Sequence, residues 1–264
     1  MPHLLLPSSP VAPGRSPVRV HFRERGTGEA VLLLHGGWGY EAYPFDAAAE
    51  ALAPRHRAVA PDRVGYGGSD PVAALPRGFH AAMAEETVRV MDALGLASAA
   101  LWGHSDGAVI AAWAAILHPD RVSALVLEAL HFFAAKPASI AFFEMGVAAP
   151  ERFGEKVVAA LLRDHGERWR EVLAAGGRAW LEIIRDGEGG RGDLFDGRLG
   201  EVRAPALVLH GRRDPRTEPG ELEAARRALT SARVTLFDAG HSPHTGASAA
   251  ACIAEAVAFL DAPG

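Results

Sequence analysis

The chain has 264 residues, of which 49% are apolar and 22% charged. That is enough to bury one large core, and nothing demands a division into independent domains. Its 27 Lys and Arg are scattered among 32 Asp and Glu, for a formal net charge of −5, so the concentrated positive field that a phosphate backbone requires is missing and nucleic acid is excluded as an expected partner. The single cysteine, Cys252, rules out a disulfide framework and reads as a small buried thiol, not a nucleophile or metal ligand.

Leu4, Leu5 and Leu6, broken by Pro2, Pro7 and Pro10, form too short and too uncharged a start for a signal peptide, and no later apolar run approaches membrane-spanning length. A soluble, cytoplasmic protein is expected. Val18 to Arg23 alternates apolar and polar residues like an early edge strand, whereas Ala30 to Leu34 and Ala58 to Ala60 are continuous apolar runs suited to buried strands. Ala99 to Trp102, Ala124 to Leu127, Ala206 to Leu209 and Val234 to Phe237 repeat the theme. Helical patterns separate them, around Met83 to Leu94, Ala108 to Leu117 and Leu222 to Leu229, and Ala249 to Leu260 closes the chain as a helix. Alternation of this kind predicts an α/β fold, a mostly parallel sheet with helices on both faces.

From about Ala134 to Gly200 the rhythm breaks: helical patches, two Trp, Phe142, Phe143, Phe153 and a Gly-rich stretch from Asp186 to Asp193 occur without a convincing strand. Residues 134–200 are therefore expected to form an inserted helical cap on a core made of 1–133 and 201–264. A cap between two sheet strands would sit over their carboxyl ends, where open α/β sheets place ligands. No internal repeat or low-complexity tail is evident.

Gly103-His104-Ser105-Asp106-Gly107 fits G-x-S-x-G, with the apolar run Ala99 to Trp102 before it and an Ala-rich helix after it. A hydroxyl presented on so sharp a turn is crowded two residues away on both sides, and both positions are Gly. The bland alternative is a Gly-rich strand-to-helix turn. A serine is a poor nucleophile until a base takes its proton, and the base must be held in one tautomer by an acid. Asp214 follows the run Ala206 to Leu209, and His241 follows Val234 to Phe237, so Ser105, Asp214 and His241 all fall at the same edge of a parallel sheet. Asp214 precedes Pro215 and could instead start a turn. Glu128, which also ends a buried strand, is the alternative acid, while His244, ahead of a helix, is expected to cap or hydrate its start. His104 flanks the serine, but adjacent side chains in an elbow point apart.

An oxyanion needs preorganised N–H donors. The Asp106 N–H opens the following helix, and the second donor is expected from His35-Gly36-Gly37-Trp38-Gly39, with Gly37 first and Trp38 second. An ordinary Gly-rich turn is the alternative for that loop.

Taken in order, His35-Gly36-Gly37, Asp62 to Ser69, Gly103 to Gly107, Gly211 to Asp214 and Gly240 to His244 resemble the successive blocks of the α/β-hydrolase superfamily, in its small esterase, lactonase and cofactor-free haloperoxidase-like branch. The resemblance spans nearly the whole chain. It implies an eight-stranded sheet, a cap after the sixth strand, and a Ser105, Asp214, His241 triad working with no cofactor and no metal. Hydrolysis of a carboxylic ester or related acyl compound through an acyl-Ser105 is the expected function, with C–C bond or lactone hydrolysis by the same triad, and a noncatalytic ligand receptor on the same fold, as alternatives. Dehalogenase and epoxide-hydrolase relatives need Asp where Ser105 stands, which disfavours those chemistries. The expected partner is a small ester-like molecule, and a homodimer is left open. Trp38, Phe132, Phe133 and Phe142, together with Phe143 and Met145, are candidates to line an apolar pocket. Asp106 either favours its helix start or reads a cationic group on the substrate, as in some relatives that cleave amino-acid esters. Asp62 and Tyr66 are read as shaping their own loop.

Overall fold

The structure, a computed structural model, describes residues 2–190 and 192–262; Met1, Arg191, Pro263 and Gly264 lie outside the described residues. Among the described residues eight strands make one sheet: β1 (His3–Leu6), β2 (Val18–Arg25), β3 (Glu29–Leu34), β4 (His56–Pro61), β5 (Ala99–His104), β6 (Val122–Glu128), β7 (Ala206–Gly211) and β8 (Arg233–Phe237). Their order is β1-β2-β4-β3-β5-β6-β7-β8. β1 pairs antiparallel with β2, and β2 with β4, while every later neighbour is parallel. The expected mostly parallel, eight-stranded sheet is what forms.

Among the described residues eight α-helices accompany it: α1 (Asp46–Leu52), α2 (Phe79–Ala93), α3 (Asp106–Leu117), α4 (Ile140–Ala148), α5 (Glu155–His165), α6 (Trp169–Glu188), α7 (Glu221–Ala228) and α8 (Ala249–Leu260). Because successive side chains leave a strand on opposite faces, the apolar runs of β3 and its neighbours feed two cores at once. Val31, Leu33, Trp102, Val126 and Leu207 face α1 and α8, where they meet Phe45, Leu52, Cys252 and Ile253. Leu32, Leu34, Leu101, Leu125 and Val208 face the other side, against Met83 of α2, Val109 of α3 and Trp180 of α6. From Asp106 to Ile116 every residue of α3 is buried, and its alanines, at 108, 111, 112, 114 and 115, keep it slim enough to lie between the sheet and α2. Cys252 is a buried thiol, as expected.

Two elements go beyond the sequence-based expectation. β1 is four residues at the sheet edge, with only Leu6 fully buried, and α1 has seven residues, so neither is long enough to show a clear period. Between β6 and β7 the chain builds α4, α5 and α6, and residues of α4 and α6 line a cavity together with Gly36, Gly37, His104 and Ser105 from the ends of β3 and β5. No helix among the described residues is long and apolar enough to cross a membrane.

Candidate active site

The sharp exit of β5 places Ser105 at φ 56° and ψ −120°, a conformation unfavourable for a residue with a Cβ, immediately before α3 begins. Strain of this kind persists only where the surroundings enforce it, and here the Ser105 N–H is anchored to the Glu128 carbonyl of β6 at 2.9 Å. β7 and β8 deliver their loops to the same edge. Ser105 Oγ donates to His241 Nε2 at 3.0 Å, and His241 Nδ1 donates to Asp214 Oδ2 at 2.9 Å. The other Asp214 oxygen accepts the Arg216 N–H at 2.8 Å. Although burial opposes it, the bond from His241 and the other donors hold the Asp214 carboxyl down at about 2, so it is an anion throughout the neutral range. A second imidazole, which no motif announces, also reaches the serine: His131 Nε2 lies 3.3 Å from Ser105 Oγ. Its ring stacks on that of His241, at 5.4 Å and 18°, and meets Trp180 edge-on.

The loop after β3 runs along the elbow. A Cβ on Gly36 would lie 3.2 Å from Ser105 Cβ, and one on Gly37 2.6 Å from Asp106 Oδ2, so a larger residue at either position would have to displace its neighbours. The Gly36 carbonyl accepts Arg63 Nη2 at 2.7 Å, and in a trans peptide that turns the Gly37 N–H the opposite way. The Trp38 carbonyl accepts His165 Nε2 at 3.0 Å, while His165 Nδ1 accepts the Gly67 N–H at 3.0 Å. The C-terminal end of α5 thus holds the loop in place. The Asp106 N–H opens α3, and the first N–H groups of a helix have no partner within it.

Asp106 itself is buried. Its Oδ1 accepts Trp180 Nε1 at 3.0 Å and His80 Nε2 at 3.2 Å, tying α6 and α2 to the elbow. Burial disfavours the charge, but these donors outweigh it and lower the carboxyl below its usual value. Asp62 and Tyr66 occupy the structural positions expected of them: the Asp62 carboxylate accepts His21 Nδ1 at 2.7 Å and the Gly68 N–H at 2.8 Å, and the buried Tyr66 ring meets His35 edge-on.

Glu128 takes no part in orienting His241. Its Oε1 accepts His244 Nδ1 at 2.7 Å and the His244 N–H at 2.9 Å, and Trp102 Nε1 reaches Oε2 at 3.3 Å. His244 is accordingly not a helix cap, contrary to expectation. It is a buried ring stacked on Phe45, at 4.6 Å, that donates from Nε2 to the Tyr43 carbonyl. His104, Glu128 and His244 present ligand-type atoms within 4.8 Å of one another. Most of their polar atoms are engaged internally: Glu128 holds His244, and His104 Nε2 lies 2.9 Å from Ser242 Oγ and 3.2 Å from the His241 carbonyl, while the buried His104 Nδ1 has no hydrogen-bond partner among the described residues.

These buried rings set an acid sensitivity. Burial is the leading cause that pushes His35 and His131 well below the usual imidazole value of 6.5, His104 down to about 3, and His210 in the same direction. Their native forms stay neutral where the unfolded chain would take up protons, so the stability they provide is present above pH 6.5 and lost as pH falls below it. Each contributes up to about 1.4 kcal/mol per pH unit in that window. His244 moves the other way, since the attraction of Glu128 overcomes burial and raises it. It is one group against four. The urea midpoint is expected to be lower at pH 5 than at pH 7, and an equal or higher midpoint at pH 5 would contradict this balance.

Over the elbow lies a cavity of roughly 170 Å³ lined by Ser105, His241, Trp38, Phe142, Phe143 and Trp180, among others. Trp38 stacks on Phe142 at 5.3 Å and Phe143 on Trp180 at 5.2 Å, so the upper wall is aromatic. Trp38 and Phe142, both candidates from the sequence, line this cavity. Phe132 and Phe133 do not line this cavity: both of their N–H groups donate to Glu221 Oε1, at 2.8 and 3.0 Å, and the Phe132 ring packs against Phe133 and Phe195. The buried Lys136 to Glu221 ion pair, at 2.5 Å, holds that segment away from the site. His131, Arg216 and Tyr43 line the cavity without having been anticipated.

Comparison with known proteins agrees with this architecture. A family model described as alpha/beta hydrolase fold matches residues 29–188. Epoxide hydrolase 3 of Siraitia grosvenorii is 34% identical over 134 residues, which are 48% of this chain and 40% of that relative, so the chain spans less than half of its length. Serine hydrolase BPHL of Mus musculus is 28% identical over 232 residues, 86% of this chain and 78% of that protein. An enol-lactonase from Burkholderia xenovorans superposes with a TM-score of 0.71 at 22% identity, over 93% of this chain and 97% of the other, a likeness in fold. With its sheet order, its elbow and more than half of its length matched, the chain belongs to the alpha/beta hydrolase fold family.

Proposed function

We propose that the protein is a serine hydrolase that cleaves a carboxylic ester or related acyl compound through an acyl-enzyme on Ser105. The observation that carries this reading is the continuous hydrogen-bonded run from Ser105 Oγ through His241 to Asp214, at 3.0 and 2.9 Å, opening into an aromatic cavity. In the first half-reaction His241 Nε2 takes the Ser105 proton as Oγ attacks the carbonyl carbon, and Asp214 stabilises the imidazolium that results. Collapse of the tetrahedral intermediate breaks the bond to the leaving oxygen, which receives the proton from His241. Water, deprotonated by the same ring, then attacks the acyl-serine, and the acid leaves as Ser105 regains its proton.

The N–H groups of Asp106 and Gly37, with Trp38 as the alternative second donor, receive the oxyanion, each supplying about 10² to 10³ in rate. Residues 134–200, containing α4 to α6, serve as the cap that keeps bulk water from this chemistry. The mammalian serine hydrolase that shares most of its length with this chain supports a serine nucleophile. Epoxide hydrolases also resemble it over a shorter stretch, but a hydroxyl at position 105 makes an acyl-serine, not the carboxylate ester expected of those enzymes.

Incubation with a fluorophosphonate and intact-mass analysis tests the assignment. One adduct on Ser105 is expected, absent from Ser105→Ala. No adduct on the native protein, together with no turnover of a panel of aryl esters and lactones, would favour a noncatalytic receptor.

A further inference from the structure

Arg216 is a cation inside the cavity that no described group neutralises directly. It sits two residues past Asp214, is 9% exposed, and lines the same cavity as Ser105 and His241. Its Cζ lies 3.4 Å from the centre of the Phe142 ring and 4.8 Å from that of Phe143. Stacked on a ring, a guanidinium keeps the N–H groups of its edge available, since an aromatic face accepts none of them in-plane. Among the described residues the Arg216 side chain makes no hydrogen bond and no ion pair. Each nearby acid is otherwise engaged: Asp214 holds His241 and the Arg216 backbone N–H, Glu218 accepts the Ala138 N–H at 3.0 Å, and Glu221 holds Lys136. Asp106 directs its Oδ1 to Trp180 and His80. Burial lowers the guanidinium to about 10, which leaves it cationic at neutral pH.

A buried fork of donors is costly to leave unmet and matches a carboxylate in shape and charge. We propose that Arg216 is the specificity residue of the site, receiving a carboxylate carried by the substrate in addition to the acyl group that Ser105 attacks. The inference rests on the acyl-hydrolase reading for the word substrate, but the binding it predicts needs no turnover. The aromatic wall of Trp38, Phe142 and Phe143 takes the apolar part between the two groups. Asp106, an anion at the Gly37 side of the cavity, orients the molecule by repelling its charged end toward Arg216.

Calorimetric titration of the native protein with 3-phenylpropanoate and with 3-phenylpropan-1-ol, which share a skeleton and carry no cleavable bond, tests it. The carboxylate is expected to bind about 10-fold or more tighter than the alcohol. Arg216→Met should bring that ratio to about one, and Arg216→Lys, which keeps the charge but not the fork, should leave it in between. Equal affinities for the native protein, or an unchanged ratio in Arg216→Met and Arg216→Lys, would overturn the proposal. Phosphonate labelling of Ser105 with no carboxylate preference would sink this inference alone, whereas a carboxylate preference without labelling would sink the hydrolase and leave Arg216 as an anion receptor.

Discussion

Asp214→Asn is expected to lower kcat/KM on a neutral aryl ester by about 10⁴ without unfolding the protein. Asp214 Oδ1 accepts the Arg216 N–H, and Oδ2 accepts His241 Nδ1. An Asn at this position keeps its carbonyl oxygen on the backbone donor and turns its NH₂ toward the ring. His241 must then carry its proton on Nε2, facing Ser105 Oγ, and cannot accept the hydroxyl proton. Glu128→Gln is the companion measurement, because Glu128 is the other buried carboxylate at a strand end. Its side chain holds His244 and makes no hydrogen bond to His241 or to Ser105. Its carboxyl is held at about 2 by His244 against the effect of burial, so the stability it provides is present above the ordinary carboxyl range and lost as pH falls toward 2. Removing that charge should cost about 1–3 kcal/mol of stability at pH 7 and change kcat/KM by less than about tenfold. Steady-state kinetics on the two variants decides between the acids: a loss for Glu128→Gln as large as that for Asp214→Asn would mean that the orienting acid has been misassigned.

The parallel strands were legible because each is a short apolar run, all but β6 leading into a loop or elbow that contains glycine, and Ser105 because the positions two residues before and after it are both Gly. Asp214 and His241, the proposed acid and base, were legible in turn because each stands in the loop just past a later strand, at the sheet edge that Ser105 marks. Local pattern is silent on pairings across long separations. His244 meets Glu128 across 116 residues, so a histidine shortly before a helix looked like a cap when it was the partner of a buried acid. His131 escaped notice for a related reason. It belongs to no motif and reaches Ser105 only because the chain turns at Ala129, which adopts φ 51° just past β6. The same turn explains Phe132 and Phe133, whose apolar character suggested the cavity but whose N–H groups are claimed by Glu221, a residue 89 and 88 positions away. Aromatic type alone does not say on which side of a loop a ring will fall. Arg216 reads in sequence as one more charge in a Gly-Arg-Arg-Asp-Pro-Arg loop, and only the neighbouring acids, all otherwise bonded, set it apart.

Gly107→Ala should remove both stability and reactivity, although alanine is the better helix former by about 1 kcal/mol. A Cβ at Gly107 would lie 2.0 Å from the Leu34 carbonyl oxygen and 2.9 Å from that of His35. Both are backbone atoms of β3 and the loop after it, so no side chain can swing aside. The facing glycine compounds the constraint, since a Cβ on Gly103 would stand 2.1 Å from the Gly107 carbonyl oxygen. Relief requires α3 to move off β3, which breaks the packing of a helix buried from Asp106 to Ile116 and pulls the Asp106 N–H away from Gly37. A cost of about 3–5 kcal/mol is expected, corresponding to a fall in Tm of about 10 °C in a chain of this size, with phosphonate labelling of Ser105 slowed by about 10² or more. Gly200→Ala is the control: its nearest contact would be the Ala228 carbonyl oxygen at 3.5 Å, an ordinary van der Waals distance, and Tm should stay within about 2 °C. Calorimetry and labelling rates together separate two failures. A lowered Tm with an unchanged labelling rate would mean that Ser105 and its donors keep their geometry when the helix shifts. An unchanged Tm would mean that the elbow is free to move away from β3, and the close backbone contact would then not be what holds Ser105 at its positive φ.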